Sequence, residues 1–228
     1  MSKHLLRDLE HLKRELLTMG SLVEEATEKA IAALVDRRED LAREVMEGDQ
    51  ILDAKEVAIE EDCLKVLALH QPVAADLRFV VATLKVNNDL ERMGDLAQNI
   101  AERASYLSAH EPLGIPLSFD QMVELVRGMV RESLDSLVNL DTDRARAVLE
   151  NDDLVDALNR EMFRVLHEKM HEDPTSIDRA VHSLSASRHL ERIADHATNI
   201  AEDVIFLVEG EVIRHQHEGG ERSPRSSR

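Results

Sequence analysis

The chain has 228 residues, a formal charge of −18 and only 2% aromatic residues, with eight Gly and five Pro. That composition points to an all-α protein packed in Leu, Val and Ala layers, and the acidic balance argues against nucleic-acid binding. A lone cysteine, Cys63, excludes an internal disulfide or a thiolate metal site, and no apolar run approaches the roughly 18 residues of a spanning helix.

The amino terminus MSKHLLRDLEHLKREL is amphipathic but too charged for a secretory leader, so a cytoplasmic location is expected. A first helix is predicted over residues 3–35. Leu5, Leu9, Leu12, Leu16, Met19, Val23, Ala26 and Ala30 form a coiled-coil-like seam along it. Asp36 to Asp40 reads as a turn. A second helix over 40–69 places Val45, Asp49, Leu52, Glu56, Ile59, Cys63 and Val66 on its seam, so two acids occupy positions where the period demands apolar residues. After Pro72 a third helix is predicted over 73–109, with Leu77, Val80, Leu84, Leu90, Met93, Ala97, Ile100, Ala104 and Leu107 inward. Asp76 in its first turn favours the helix dipole.

The segment HEPLGIPL, residues 110–117, reads as the interior linker. Ser118 with Gln121 suggests a capping box for a fourth helix ending near 139. A fifth helix is predicted over 143–171, and Asp173-Pro174 opens a sixth over 174–209. After Gly210 the chain turns polar and Gly/Ser-rich, which predicts a disordered tail. The domain reading is residues 1–110, a linker at 111–118, residues 119–209, and a tail over 210–228.

The two halves repeat one another. LERMGDLAQNIAE at 90–102 and LERIADHATNIAE at 190–202 share nine of thirteen positions at an offset of 100. At an offset of 103, Val23 maps to Val126, Val45 to Val148, Asp49 to Asp152, Asp53 to Asp156 and Glu56 to Asn159. Short connections make sequential helices antiparallel neighbours. The expected fold is therefore two tandem antiparallel three-helix bundles, joined end to end or side by side.

Each repeat sets two acids four apart, Glu91 with Asp95 and Glu191 with Asp195, on one helix face. Like charges so placed repel by a few tenths of a kcal/mol, about 0.2–0.5. If helices two and three reverse near residue 71, Asp49 lies level with residue 93. If helices five and six reverse near 173, Asp152 lies level with 194. Asp53 and Asp156 sit one turn away. Level alone does not fix which way these side chains point. Facing together, they form oxygen-rich clusters suited to Mg, Mn, Ca or Fe. Asn99, Asn199, Glu102 and Glu202 lie nearby, and His196 points roughly 100° away from Asp195.

The plainer alternative is a solvated acidic face neutralised by Arg92 or Arg192, with Asp49 as a register-setting polar residue. Both readings stay open at the level of residues. Glu168 and His171 form one Glu-x-x-His, where a di-iron bundle needs two. His182 or His189 as a phosphoryl acceptor rests on histidine abundance alone. There is no Gly-rich phosphate loop, nucleophile setting or zinc-finger spacing, so nothing supports an enzyme.

The run MEGDQILDAKEVAIEEDCLKVLALHQPVAADLR at 46–78, then NDLERMGDLAQNIAE and RHLERIADHATNIAED, resembles the PhoU family across nearly all of residues 4–209. The resemblance implies tandem three-helix bundles, commonly as a homodimer. It implies a negative regulator of phosphate uptake and of phosphate-starvation genes, partnered by the phosphate ABC transporter at the membrane and a sensor histidine kinase. It also implies metal (Mg, Mn, Fe or Zn) bound through Glu/Asp-x-x-x-Asp motifs. Those map to Glu91–Asp95, Glu191–Asp195, Asp49–Asp53 and Asp152–Asp156. The second half departs from the first at Asn159, and it has Arg127 and Arg131 where the first has Glu24 and Glu28, which implies a weaker or differently built site there.

Overall fold

Apolar stripes at helical spacing build six long helices. The computed structural model describes residues 3–115, 117 and 119–210. Helix α1 spans Lys3–Val35, α2 Glu39–His70 and α3 Ala74–Ser108; α4 spans Phe119–Asn139, α5 Thr142–Glu172 and α6 Ile177–Glu209. The α1 seam is buried at Leu5, Leu9, Leu12, Leu16, Met19, Val23 and Ala30. On α2 the apolar seam positions Val45, Leu52, Ile59, Cys63 and Val66 are buried, while Asp49 and Glu56 are half-buried. Leu77 departs from expectation: it stands in the first turn of α3, before the packed part of the helix, and is exposed.

Local signals end these helices. Asp141 caps α5, accepting from the backbone N–H groups of Asp143 and Arg144 at 3.1 Å each. Asp173 caps a single 3-10 turn, Pro174–Ser176, rather than the sixth helix itself, which begins three residues later. The turn residues Arg37 and Leu140, equivalent under the 103-residue offset, both adopt left-handed backbone conformations. The Ser118 capping box and the polar segment over 211–228 lie outside the described residues.

The halves lie side by side. Helices α1, α3, α6 and α4 form a four-helix square, each packing on the next; α2 flanks α1 and α3, and α5 flanks α4 and α6. One connected apolar cluster runs through both halves. The α3–α6 seam is antiparallel: Lys85 meets Asp203, Asp89 meets Asn199 and Tyr106 meets His182, and each pair of numbers totals 288. Residues 94 and 194, which lie between the paired acids of the repeated motif, therefore cross.

The duplication is incomplete at one end. Helix α4 has 21 residues against 33 in α1. Linker residues Leu113, Ile115 and Leu117 fill the gap, packing with Phe119 on Met162, Leu166 and Ala180. In the first half the opening turns of α1 hold that place, where Asp8 lies 2.9 Å from His70 on α2.

Candidate carboxylate metal site

The α2–α3 hairpin sets the first cluster. Asn87 Nδ2 donates to the backbone oxygen of Glu56 at 3.0 Å and fixes the register between the two helices. One to two turns further along the two helices, carboxylates of Asp49, Asp53 and Asp95 converge, with one oxygen from each within 4.8 Å of the others. Asp49 and Asp95 are half-buried and Asp53 is exposed. A cavity of about 250 Å³ opens beside Asp49, between α1 and α2, and its lining reaches the backbone of Gly94.

The charges there are under strain. Burial first, then Asp53 and Asp95, push the Asp49 carboxyl above its ordinary value of 3.8. Burial and then Asp95 raise Glu91 above 4.5, with Glu56 and Asp53 adding to the effect. Glu56 is raised too, by burial and then by Glu60 and Asp53. Arg92 opposes this only in part. Its Nε lies 3.4 Å from Glu91 and its Nη1 3.2 Å from Asp95, with the guanidinium half in solvent.

The second half is looser. Burial, then Asp195, Asp156 and Asp152, raise Glu191. Burial and then Asp156 raise Asp195, although Asp195 keeps a solvent-exposed surface that moderates the effect. So Asp152, Asp156, Glu191 and Asp195 share one neighbourhood. Among the described residues they form no triad as close as that of Asp49, Asp53 and Asp95.

Several polar residues near the motifs serve the fold instead. His196 Nδ1 lies 2.8 Å from Asp89 across the α3–α6 seam, and Asn199 Nδ2 donates to the same carboxylate at 3.2 Å. Asn99 Nδ2 donates to the Asp95 backbone oxygen at 2.7 Å, one turn back on its own helix. Asn159 accepts from Ser187 Oγ at 2.8 Å, which repeats the Asn87–Glu56 bond of the first half with a side-chain acceptor. Arg127 pairs with Glu28 at 2.9 Å and so ties α4 to α1. The exposed Glu168 is held by Arg164 at 2.7 Å. The seam residues Lys85, Asp89 and Asp203 carried no spacing motif. Their sole signal was charge on an otherwise inward-facing helix stripe.

An all-oxygen set of three converging carboxylates with excess negative charge has the chemistry of a hard-cation site. Asp49, Asp53 and Asp95 are the residues that could hold an ion in the first half, with Glu91 one turn from Asp95. Glu191, Asp195, Asp152 and Asp156 are their counterparts.

The family model described as the PhoU domain matches twice, over residues 16–104 and 119–204. The chain belongs to the PhoU family. The starts of the two matches differ by 103 residues and their ends by 100, the offsets at which the halves repeat. The chain is 46% identical over 213 residues to a phosphate-specific transport system accessory protein PhoU homolog from Aquifex aeolicus, covering 93% of this chain and 96% of that one. Its fold is similar to the crystal structure of PhoU from Pseudomonas aeruginosa, with a TM-score of 0.87, 39% identity, and 90% and 99% of the two chains covered. A phosphate transport system regulatory protein PhoU from Streptococcus pneumoniae gives 0.83 at 28% identity, covering 91% and 98%. In this PhoU-family chain no helix among the described residues is long and apolar enough to cross a membrane.

Proposed function

We propose that this protein is a non-enzymatic accessory regulator of phosphate-specific transport that restrains phosphate uptake and phosphate-starvation signalling. The observation that supports this most is the PhoU-domain match in both halves, together with relatives of nearly equal length named as transport accessory proteins. In this reading the helical surfaces dock on the phosphate ABC transporter and on a sensor histidine kinase, and the protein acts as a homodimer in the cytoplasm.

The carboxylate clusters serve it as cation sites. Asp49, Asp53, Glu91 and Asp95 hold a metal (Mg, Mn, Fe or Zn) against α2 and α3; Asp152, Asp156, Glu191 and Asp195 do so against α5 and α6. A bound cation neutralises carboxylates that otherwise repel one another and thereby stiffens each hairpin. The raised Asp49 and Glu91 carboxyls support this, since Arg92 offsets the charge of Glu91 only in part and their ionised forms are not fully compensated within the chain.

Deletion of the gene tests the regulator. The expected result is constitutive phosphate-starvation expression and deregulated uptake, both restored by the wild-type gene. Normal phosphate-responsive expression and uptake in the deletion strain would contradict it.

A further inference from the structure

The α3–α6 seam joins two copies of one motif, yet its two ends carry opposite charge. At one end the chain supplies both partners. Lys85 Nζ lies 3.0 Å from Asp203 Oδ1, and Asp89 is met by His196 at 2.8 Å and Asn199 at 3.2 Å. The duplication places Arg103 where Asp203 stands and His189 where Asp89 stands. The other end therefore presents a guanidinium and imidazoles.

The register sets Arg103 level with Ser185, with His182 and His189 about one turn to either side. Ser185 Oγ lies 3.2 Å from His189 Nε2. Tyr106 stacks on His182 at 3.6 Å and on His110 at 4.1 Å, forming one wall. Burial and then Arg103 hold His182 below the ordinary imidazole value, and His110 adds to this. The nearby carboxylates are Glu102, on Arg103's own helix at 3.3 Å, and Asp178, beside His182. Among the described residues no α6 carboxylate forms an ion pair with Arg103. Three enclosed nitrogens, Arg103 Nε, His182 Nδ1 and His189 Nδ1, have no hydrogen-bond partner. The Arg103 side chain is 31% exposed, so solvent reaches this end.

We propose that the end of the seam around Arg103, His182, Ser185 and His189 binds a small tetrahedral oxyanion of the phosphate class, either free phosphate or the phosphoryl group of a monoester. The anion supplies the negative charge that Asp89 and Asp203 supply at the opposite end. A guanidinium fork matches two phosphate oxygens, a serine hydroxyl can donate to a third, and a neutral imidazole has one N–H to give. This inference goes beyond the proposed regulatory role and does not depend on it or on the metal clusters.

The test uses the full chain stripped of metal and kept in chelator, so that metal-bound phosphate cannot contribute. Inorganic phosphate and, separately, phenyl phosphate are titrated by calorimetry, with NMR mapping of the His182 ring and the backbone amides. The expected result is saturable binding that shifts His182 and the amides near Ser185. Arg103→Gln should weaken it at least tenfold, Arg103→Lys by less, and Arg164→Gln on the surface of α5 not at all. Binding of phosphate alone identifies the free anion as ligand; binding of the ester as well identifies the phosphoryl group, and either supports the site. No saturable binding of either probe, or equal binding by Arg103→Gln, would overturn it. Should Arg103→Gln fail to fold, the wild-type map decides: shifts confined elsewhere on the molecule would overturn the site as well.

Discussion

Leu52 of α2 rests on Gly94 of α3 so closely that a Cβ at position 94 would stand 2.8 Å from Leu52 Cδ1. Residue 94 lies between Glu91 and Asp95, and Leu52 lies between Asp49 and Asp53. The same contact that seals the hairpin thus sets the spacing of its carboxylates. The second repeat has Ala194 at the equivalent place, and its acids converge less tightly.

Gly94→Ala should accordingly act on the site more than on the fold. Overpacking costs about 1–3 kcal/mol, and replacing a helical glycine returns up to about 1. Chemical denaturation should show a net loss near 1 kcal/mol, while first-half cation affinity falls by at least tenfold in calorimetry.

Acid pH should stabilise the metal-free clusters. Asp49, Glu91, Glu191 and Asp195 all have folded values above their ordinary 3.8 or 4.5. The folded state therefore binds more protons at these sites than the unfolded chain does. Their contribution is fully present below the ordinary values and is lost as pH rises through the folded ones. In chelator at pH 7, the variant Asp49→Asn/Glu91→Gln/Glu191→Gln/Asp195→Asn should melt higher than wild type, by about 2–4 °C for each kcal/mol relieved. The gap should close below about pH 4.

The seam should weaken when Lys85 loses its charge. Asp203 is only 2% exposed and faces Lys85 at 3.0 Å, with the ammonium also 5.0 Å from the Phe206 ring centre. Breaking a fully buried pair costs about 3–5 kcal/mol and a surface pair about 0–1. With Lys85 35% exposed, Lys85→Met should cost about 2 kcal/mol in denaturant melts. Hydrogen exchange should locate the loss on α3 and α6.

Cys63 should resist thiol reagents in the native state. It is fully buried among apolar neighbours, and burial pushes its thiol up to about 12. Labelling at pH 8 should follow global unfolding, with a rate that rises in proportion to the unfolded fraction in denaturant.

The helices were legible because their apolar stripes keep the 3.6-residue period from Leu5 to Val204, and the duplication was legible because nine motif positions repeat unchanged. The level test also held in space for Asp49 and Asp95, since two straight antiparallel rods leave little freedom in register. The side-by-side packing was not legible. It depends on polar seam residues, Lys85, Asp89, His196 and Asp203, which resemble surface positions one at a time and pair only across a distance of more than 100 residues in sequence. Arg127 misled for the same reason: read as a lost acid of the second half, it is the partner of Glu28 on α1.

Calorimetric titration of Mn²⁺ into chelator-treated wild type and Asp49→Asn/Asp95→Asn, side by side, decides whether the first carboxylate cluster holds a cation. Convergent carboxylates predict saturable binding to wild type, a lower stoichiometry in the variant, and a metal-induced rise in melting temperature that shrinks with it. Equal stoichiometry and an equal rise in both proteins would rule out a cation at Asp49, Asp53 and Asp95.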